Sequence, residues 1–207
     1  VFTCRGCNYH CNTCGGSSLT FRSMANRRKP AYRSPRLLAQ DIFHIADHLN
    51  APIMVIGDIF QPGEEYAFTL LEELKKKRIK NHIAFEFFIP PSRDRLARIA
   101  DAIPNFNIEI SPESHDEEVR WAFGRPYNNE AMERMLADAI DLGCKRIDLF
   151  FMIGLPKQTF QSVLDTVDYC RSLLERFRSY GKLIPFLSPL APFLDPGSAA
   201  FETPEKF

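Results

Sequence analysis

The chain has 207 residues, 45% of them hydrophobic and 25% charged, which suits one domain of ordinary size with a real core and excludes a disordered or membrane-spanning chain. Lys and Arg total 26 and Asp and Glu total 26, so a net charge of zero exerts no global pull towards nucleic acid or an acidic membrane. No apolar run reaches the ~18 residues of a membrane span and Val1-Phe2-Thr3 is no signal peptide, so the expected compartment is the cytoplasm, where thiols stay reduced.

The chain opens without a methionine on a strand-like triplet and ends just after a proline-rich segment, as a piece of a longer protein would. Next comes Cys7-Asn8-Tyr9-His10-Cys11-Asn12-Thr13-Cys14, followed by Gly15 and Gly16, at the mouth of the first expected strand. Three thiolates so spaced can hold three irons of a cubic four-iron cluster and leave the fourth iron without a protein ligand. An open iron is a place for a small molecule to bind and be reduced, which points to catalysis rather than electron storage. Cys4 and Cys7 also form a Cys-x2-Cys pair, as do Cys11 and Cys14. Four thiolates within eleven residues are an alternative ligand set, for the structural zinc of a knuckle that binds nucleic acid through the basic stretch Arg22 to Arg36, or for a fully ligated electron-transfer cluster. Zinc knuckles usually place a longer turn between their pairs, and they do not need the long chain that follows.

The stretch Arg22 to Arg36 carries Arg22, Arg27, Arg28, Lys29, Arg33 and Arg36 without an acid. It reads as a solvated loop, with a clamp for an anionic substrate, a phosphate or a partner surface as the sharper alternative. Ser34 and Pro35 then open a helix whose Leu38, Ile42, Ile45, Ala46 and Leu49 share a face. A strand is expected at Ile53 to Gly57, and a helix from Pro62 that ends in the basic run Lys75 to Arg78, suited to the negative end of its dipole. The unit repeats with a strand at His82 to Ile89, a helix capped by Ser92 bearing Leu96, Ile99, Ala100 and Ile103, and a strand at Phe106 to Ile110. Asn129 opens a helix with Met132, Met135, Leu136 and Ile140, stopped at Gly143. The apolar run Arg146 to Ile153 reads as a strand buried on both faces. A helix from Phe160 to about Arg178 carries Val163, Leu164, Val167, Leu174 and Phe177, and Leu183 to Leu187 is the last strand. Cys144, Cys170 and Trp121 read as core.

Six strands alternating with five helices argue for an α/β fold with a parallel sheet and helices packed outside. Spacing alone does not separate an open doubly wound sheet from an incomplete barrel. In either, ligands lie at the carboxyl ends of the strands, where the cysteine loop falls.

Cys-x3-Cys-x2-Cys in an N-terminal β/α loop resembles the signature of the radical S-adenosylmethionine (SAM) enzymes. The resemblance covers roughly Thr3 to Ser198, as one core domain spanning the chain, and it favours a partial (β/α)6 barrel of the TIM type. It implies that Cys7, Cys11 and Cys14 hold a [4Fe-4S] cluster whose open iron is chelated by the amino and carboxylate groups of SAM. An electron enters the sulfonium and a 5′-deoxyadenosyl radical is released, while the protein holds the cofactors, aims the radical and keeps water away.

Further matches sit just after the strands. Gly57-Asp58 partly matches the Gly-Gly-Glu stretch that binds the SAM amino group, with Ile56 in place of the first glycine and Asp58 as the acid. Ile108 to Ser114 followed by Gly124-Arg125-Pro126-Tyr127 is similar to the fourth-strand region of relatives that act beside a cobalamin-binding domain, and of the anaerobic coproporphyrinogen oxidases. There an acid binds the ribose hydroxyls and an arginine twelve positions on binds the SAM carboxylate, roles implied for Glu113 and Arg125. A carboxylate accepting two hydroxyl protons and a guanidinium fork meeting a carboxylate are sound chemistry. Gly154-Leu155-Pro156 matches the end of the fifth strand, where the backbone passes close to adenine.

Glu86 lies inside an apolar run, where an unpaired charge is costly. It is held in reserve as a cofactor contact, because alternation along the strand can also turn it outward. Thr13 departs from the aromatic that usually precedes the third cysteine. His10 is either a hydrogen-bond donor to a cluster sulfide or a solvated loop residue. The resemblance also implies an electron donor such as a flavodoxin or ferredoxin, cobalamin carried on an N-terminal domain outside this chain, and a reaction such as methyl or methylthio transfer on an unidentified substrate.

Overall fold

The computed structural model describes residues 1–190 and 194–206. Its frame is a parallel sheet of Ile53–Val55 (β3), Ile83–Phe87 (β4), Phe106–Glu113 (β5), Ile147–Ile153 (β6) and Leu183–Pro189 (β7), in which each strand pairs with the next in sequence. Phe2 forms a parallel bridge to Ile56, Thr3 N donates to the Ile56 carbonyl at 3.0 Å and Ile56 N to that of Val1 at 2.8 Å. Residues 1–3 therefore occupy the first strand's place as a single bridge, not as a full strand. A doubly wound sheet reverses its strand order at a switch point, whereas this order runs one way, as in a barrel. Among the described residues the circle is not closed, so the fold is a partial TIM-type barrel.

After Thr3 the chain leaves the sheet. Cys4–Arg5 (β1) and Ala31–Tyr32 (β2) form a two-residue antiparallel ribbon, and between them lie the cysteine loop and the helix Ser18–Ala25 (α1), which the spacing did not predict. Pro35–His48 (α2), Glu64–Lys75 (α3), Arg93–Ala102 (α4), Asn129–Asp141 (α6) and Phe160–Arg176 (α7) are the expected helices, and Glu117–Phe123 (α5) and Ala199–Glu202 (α8) are additions. The Ser92 hydroxyl accepts from Arg95 N as predicted, and α6 opens at Asn129 as expected, with Asn128 as its cap. Ser34 makes no side-chain cap, and α2 starts on the preset backbone angle of Pro35.

The two faces of the sheet differ. Val55, Phe85, Phe87, Ile108, Ile110, Leu149 and Phe151 point to the helical layer and are buried. Each contributes roughly 1.5–3 kcal/mol by leaving water. The alternate residues Met54, Glu86, Phe88, Glu109, Ser111, Asp148, Phe150 and Met152 face the barrel interior and are only half-buried. So β6 is buried on one face, not two, because the incomplete barrel leaves its interior open.

Three apolar placements also differ from expectation. On α7 the buried stripe is Ser162, Thr166, Cys170, Leu173 and Phe177, while Leu164, Val167 and Leu174 are exposed. The helix carries two apolar rows, and periodicity does not say which one the sheet takes. Ser162 and Thr166 can be buried because their hydroxyls donate to the carbonyls of Thr159 and Ser162, at 3.0 and 2.7 Å. Leu49 and Trp121 are exposed rather than packed, the Trp121 indole N–H reaching the Tyr127 carbonyl at 3.1 Å. Cys144 and Cys170 are core thiols. The basic stretch divides: Arg22 to Lys29 is exposed, while Arg33 pairs with Asp41 at 2.6 Å and Arg36 with Glu73 at 3.4 Å.

Candidate active site

A cavity of about 560 Å³ opens at the carboxyl ends of the strands, and Cys7, Cys11 and Cys14 line it together with Gly57, Glu86, Glu113 and Arg125. Seven of the eight predicted site residues thus share one cavity. The eighth, Asp58, does not. Its carboxylate turns into a neighbouring cleft with Tyr9 and Phe60, accepting from Phe60 N at 2.8 Å and Phe88 N at 3.3 Å. Burial raises it to about 6 against those two bonds. Asp58 braces the loop after β3 from behind.

The cysteine loop is stitched to α5. Asn12 N donates to the Phe123 carbonyl at 3.0 Å and Asn12 Nδ2 to that of Ala122 at 2.6 Å. Gly124, with φ of +118°, lies so close that an added Cβ would stand 3.0 Å from Cys11 Cα, so only glycine permits this approach. Arg125 follows directly and is carried to the thiols by that contact. The Cys7 sulfur receives Tyr9 N at 3.4 Å and Gln61 Nε2 at 3.2 Å, and the Cys14 sulfur receives Gly16 N at 3.3 Å. Burial raises all three thiols, Cys11 to about 11 despite the opposing Arg125. Cys4, on β1, lines the same cavity and is half-buried, its thiol donating to the Gly6 carbonyl at 3.2 Å. His10 is exposed, with Nδ1 2.6 Å from the Ser18 hydroxyl.

β5 runs three residues beyond its expected end, through an irregularity in its pairing with β6 between Ile110 and Glu113. Glu113 sits there with φ of +67°, a strained conformation for a residue with a side chain. It is 1% exposed; Oε1 meets Arg125 Nε at 3.3 Å, and Oε2 is buried without a partner. Burial outweighs the pull of Arg125 and pushes Glu113 up to about 7. For Arg125 burial acts against the charge, but Cys11, Glu113, Tyr127 and Glu86 outweigh it and hold the guanidinium above its ordinary value. Glu86 points inward, accepting Gly57 N at 2.6 Å, and burial raises it. An added Cβ on Gly57, at φ +95°, would collide with Thr3 Oγ1, so this turn also requires glycine.

Sequence reasoning missed several supports. Arg120 is completely buried and donates to the carbonyls of Pro112, Ser114 and Tyr127 and to Asn129 Oδ1, fixing the strained segment around Glu113. Asp195 accepts Gly15 N at 2.7 Å and closes the returning chain over the cysteine loop. Gln61 reaches Cys7. None carried a local signal, since each acts on partners distant in sequence or in a helix that the spacing did not reveal. Gly154 turns at φ +99°, held by Gln158, whose Oε1 accepts from Gly154 N and whose Nε2 donates to the Met152 carbonyl.

The family model for the radical SAM superfamily matches residues 1–170. The chain belongs to that superfamily. No curated protein matches the sequence. Among solved structures it is similar to TsrM from Kitasatospora setae, a radical SAM methyltransferase with cobalamin and a [4Fe-4S] cluster bound (TM-score 0.69, 16% identity, 91% of this chain and 33% of that one). It is also similar to coproporphyrinogen III oxidase HemN from Escherichia coli (0.63, 18%, 92% and 43%) and to a radical SAM methyltransferase from Sphaerobacter thermophilus (0.59, 11%, 96% and 68%). At these identities the likeness is one of fold. The chain spans about a third of the length of TsrM and under half of HemN.

The superfamily implies a [4Fe-4S] cluster and SAM, and the residues present fit both. The donor set is three reduced thiols on one short loop, two of them receiving N–H donors at sulfur, which suits thiolate ligation. Among the described residues no three His, Cys, Asp or Glu side chains converge to hold a single ion. The unpartnered, buried Glu113 Oε2 fits a hydroxyl-bearing ligand.

Proposed function

We propose that this chain is the catalytic core of an enzyme that cleaves SAM reductively, with Cys7, Cys11 and Cys14 as the cluster ligands and Gly57, Glu113 and Arg125 as the SAM contacts. When bound, the cluster supplies the electron for that cleavage. The chain's own residues do the rest. Arg125, drawn to the thiols through Gly124, receives a carboxylate edge, and Glu113 accepts from the ribose hydroxyls. Glu86 orients the Gly57 turn, and Asp58 braces it from behind without touching the cofactor. The observation that carries this is Glu113: a carboxylate held buried and strained on the cavity wall beside three thiols, one oxygen on Arg125 and the other without a partner.

Beyond that, we propose that the whole protein works with cobalamin on an N-terminal domain, that it transfers a methyl or methylthio group to a small-molecule or macromolecular substrate, and that a flavodoxin or ferredoxin in the cytoplasm reduces it. The likeness to TsrM supports the first two. No described helix is long and apolar enough to cross a membrane. The test is anaerobic reconstitution with iron and sulfide, then electron paramagnetic resonance with and without SAM. A [4Fe-4S] signal that changes on adding SAM, with 5′-deoxyadenosine or S-adenosylhomocysteine formed under reduction, is expected. A cluster indifferent to SAM, or a zinc protein, overturns the proposal.

A further inference from the structure

One side chain reaches a ligand sulfur from outside the cavity. Gln61 Nε2 donates to Cys7 Sγ at 3.2 Å. Among the described residues it is the only side-chain donor to Cys7, Cys11 or Cys14, since the other donors, Tyr9 N and Gly16 N, belong to the backbone. Gln61 lines the smaller cleft behind the cysteine loop, with Asn8, Tyr9 and Asp58, and not the cavity assigned to SAM. The loop after β3 sets its place: Gln61 N donates to the Asp58 carbonyl at 3.1 Å, closing the turn that the Asp58 carboxylate braces.

The amide has one orientation. Its Oε1 receives Asn8 N at 3.3 Å and the Tyr32 hydroxyl at 3.0 Å. A backbone N–H can only donate, so the amide oxygen must face Asn8 and the NH2 group must face Cys7. The Tyr32 oxygen in turn receives Asn8 Nδ2 at 3.2 Å, which directs the phenolic proton to Gln61. These bonds therefore run one way, from Asn8 through Tyr32 and Gln61 to the sulfur, and bonds in such a chain polarise one another. Hydrogen bonds to the sulfurs are among the levers that set the reduction potential of an iron–sulfur cluster. An N–H aimed at a thiolate ligand meets more negative charge once an electron has been added, so it favours the reduced state. The backbone donors come with the loop whatever its side chains, whereas Gln61 is a donor that another residue would withhold.

We propose that Gln61, with Tyr32 as its positioning residue, raises the reduction potential of the cluster, so that a low-potential one-electron carrier can reduce it. This rests on the assignment of Cys7, Cys11 and Cys14 as the cluster ligands. The test is a redox titration with dithionite at pH 8, followed by electron paramagnetic resonance, on reconstituted protein without SAM. In Gln61→Leu the ratio of reduced to oxidised cluster at a fixed potential should fall about tenfold, a downward shift of about 59 mV for one electron. Gln61→Glu keeps an acceptor for Asn8 and Tyr32 but turns a carboxylate oxygen on the sulfur, and should fall further. Tyr32→Phe should shift the same way by less. Potentials equal to the parent's in Gln61→Leu and Gln61→Glu overturn the inference. So does an equal shift in His10→Ala, an exposed residue of the same loop that bonds to Ser18 instead of a sulfur. If none of the three variants at Gln61 and Tyr32 loads a cluster, Gln61 is a structural prop and the inference is likewise overturned. A parent protein that takes up zinc overturns the inference together with the reading beneath it, whereas a cluster whose spectrum ignores SAM overturns the SAM-cleaving assignment alone.

Discussion

The same five strands present two faces that obey different rules. The outer face, against the helices, is apolar at every buried position from Val55 to Phe151, and its side chains are packed to near-zero exposure. The inner face alternates aromatic and acidic residues, half-buried, with raised carboxyl groups and acceptors that lack donors. The outer face secures the fold; the inner one is left poorly satisfied in a way that a ligand would repair. Natural proteins tolerate such local conflict where function requires it.

The strongest way to break this division is at the thiols. Replacing Cys7, Cys11 or Cys14 by Ala should abolish the reconstituted cluster, read as loss of iron and of the paramagnetic signal, while the circular dichroism of the fold persists. Cys4→Ala should leave the cluster in place, and its loss there would favour a four-thiolate site. Next, Phe85→Ala on the outer face should cost about 3–5 kcal/mol, a fall in melting temperature of roughly 10 °C or more. Phe150→Ala on the inner face should cost less than about 2 kcal/mol; equal losses would erase the distinction.

A smaller effect is expected at the upper wall. Glu113→Gln or Arg125→Lys should weaken SAM binding by roughly 10–100-fold, the scale of a charge-assisted hydrogen bond, measured by equilibrium dialysis with reconstituted protein. The smallest concerns Glu109. Its folded-state pKa is raised to about 7 from 4.5, so its contribution to stability is fully present below about pH 4.5 and is lost as pH rises through 7. Glu109→Gln should therefore melt higher than the parent at pH 8, by about 1 kcal/mol or 2–4 °C after allowing for solvent screening at this half-open site. The gain should vanish below pH 4.5.

Much of this was legible in the residues. The cysteine spacing and the strand and helix alternation read directly from the residues, the twelve-residue offset of Glu113 and Arg125 came with the family resemblance, and the structure brings these two to 3.3 Å. Asp58 shows the limit. A turn acid after a strand can face the cavity or the loop behind it, and only the positions of the Phe60 and Phe88 amides decide. On α7 two apolar rows competed, and the sheet took the one holding Cys170 and Leu173. Arg120 carried no signal in the sequence, because the carbonyls of Pro112, Ser114 and Tyr127 that surround it flank a helix that the spacing did not reveal.

By itself the sequence determined the spacing of the cysteine loop and the succession of elements, which local chemistry reads over short range, and it carried the family through the resemblance of its motifs. Strand order, the inward turn of Glu86, the row it forms with Glu109 and Asp148, and the strain at Glu113 were decided by tertiary structure. These depend on register between strands tens of residues apart, and a one-residue change of register would send every such side chain to the other face.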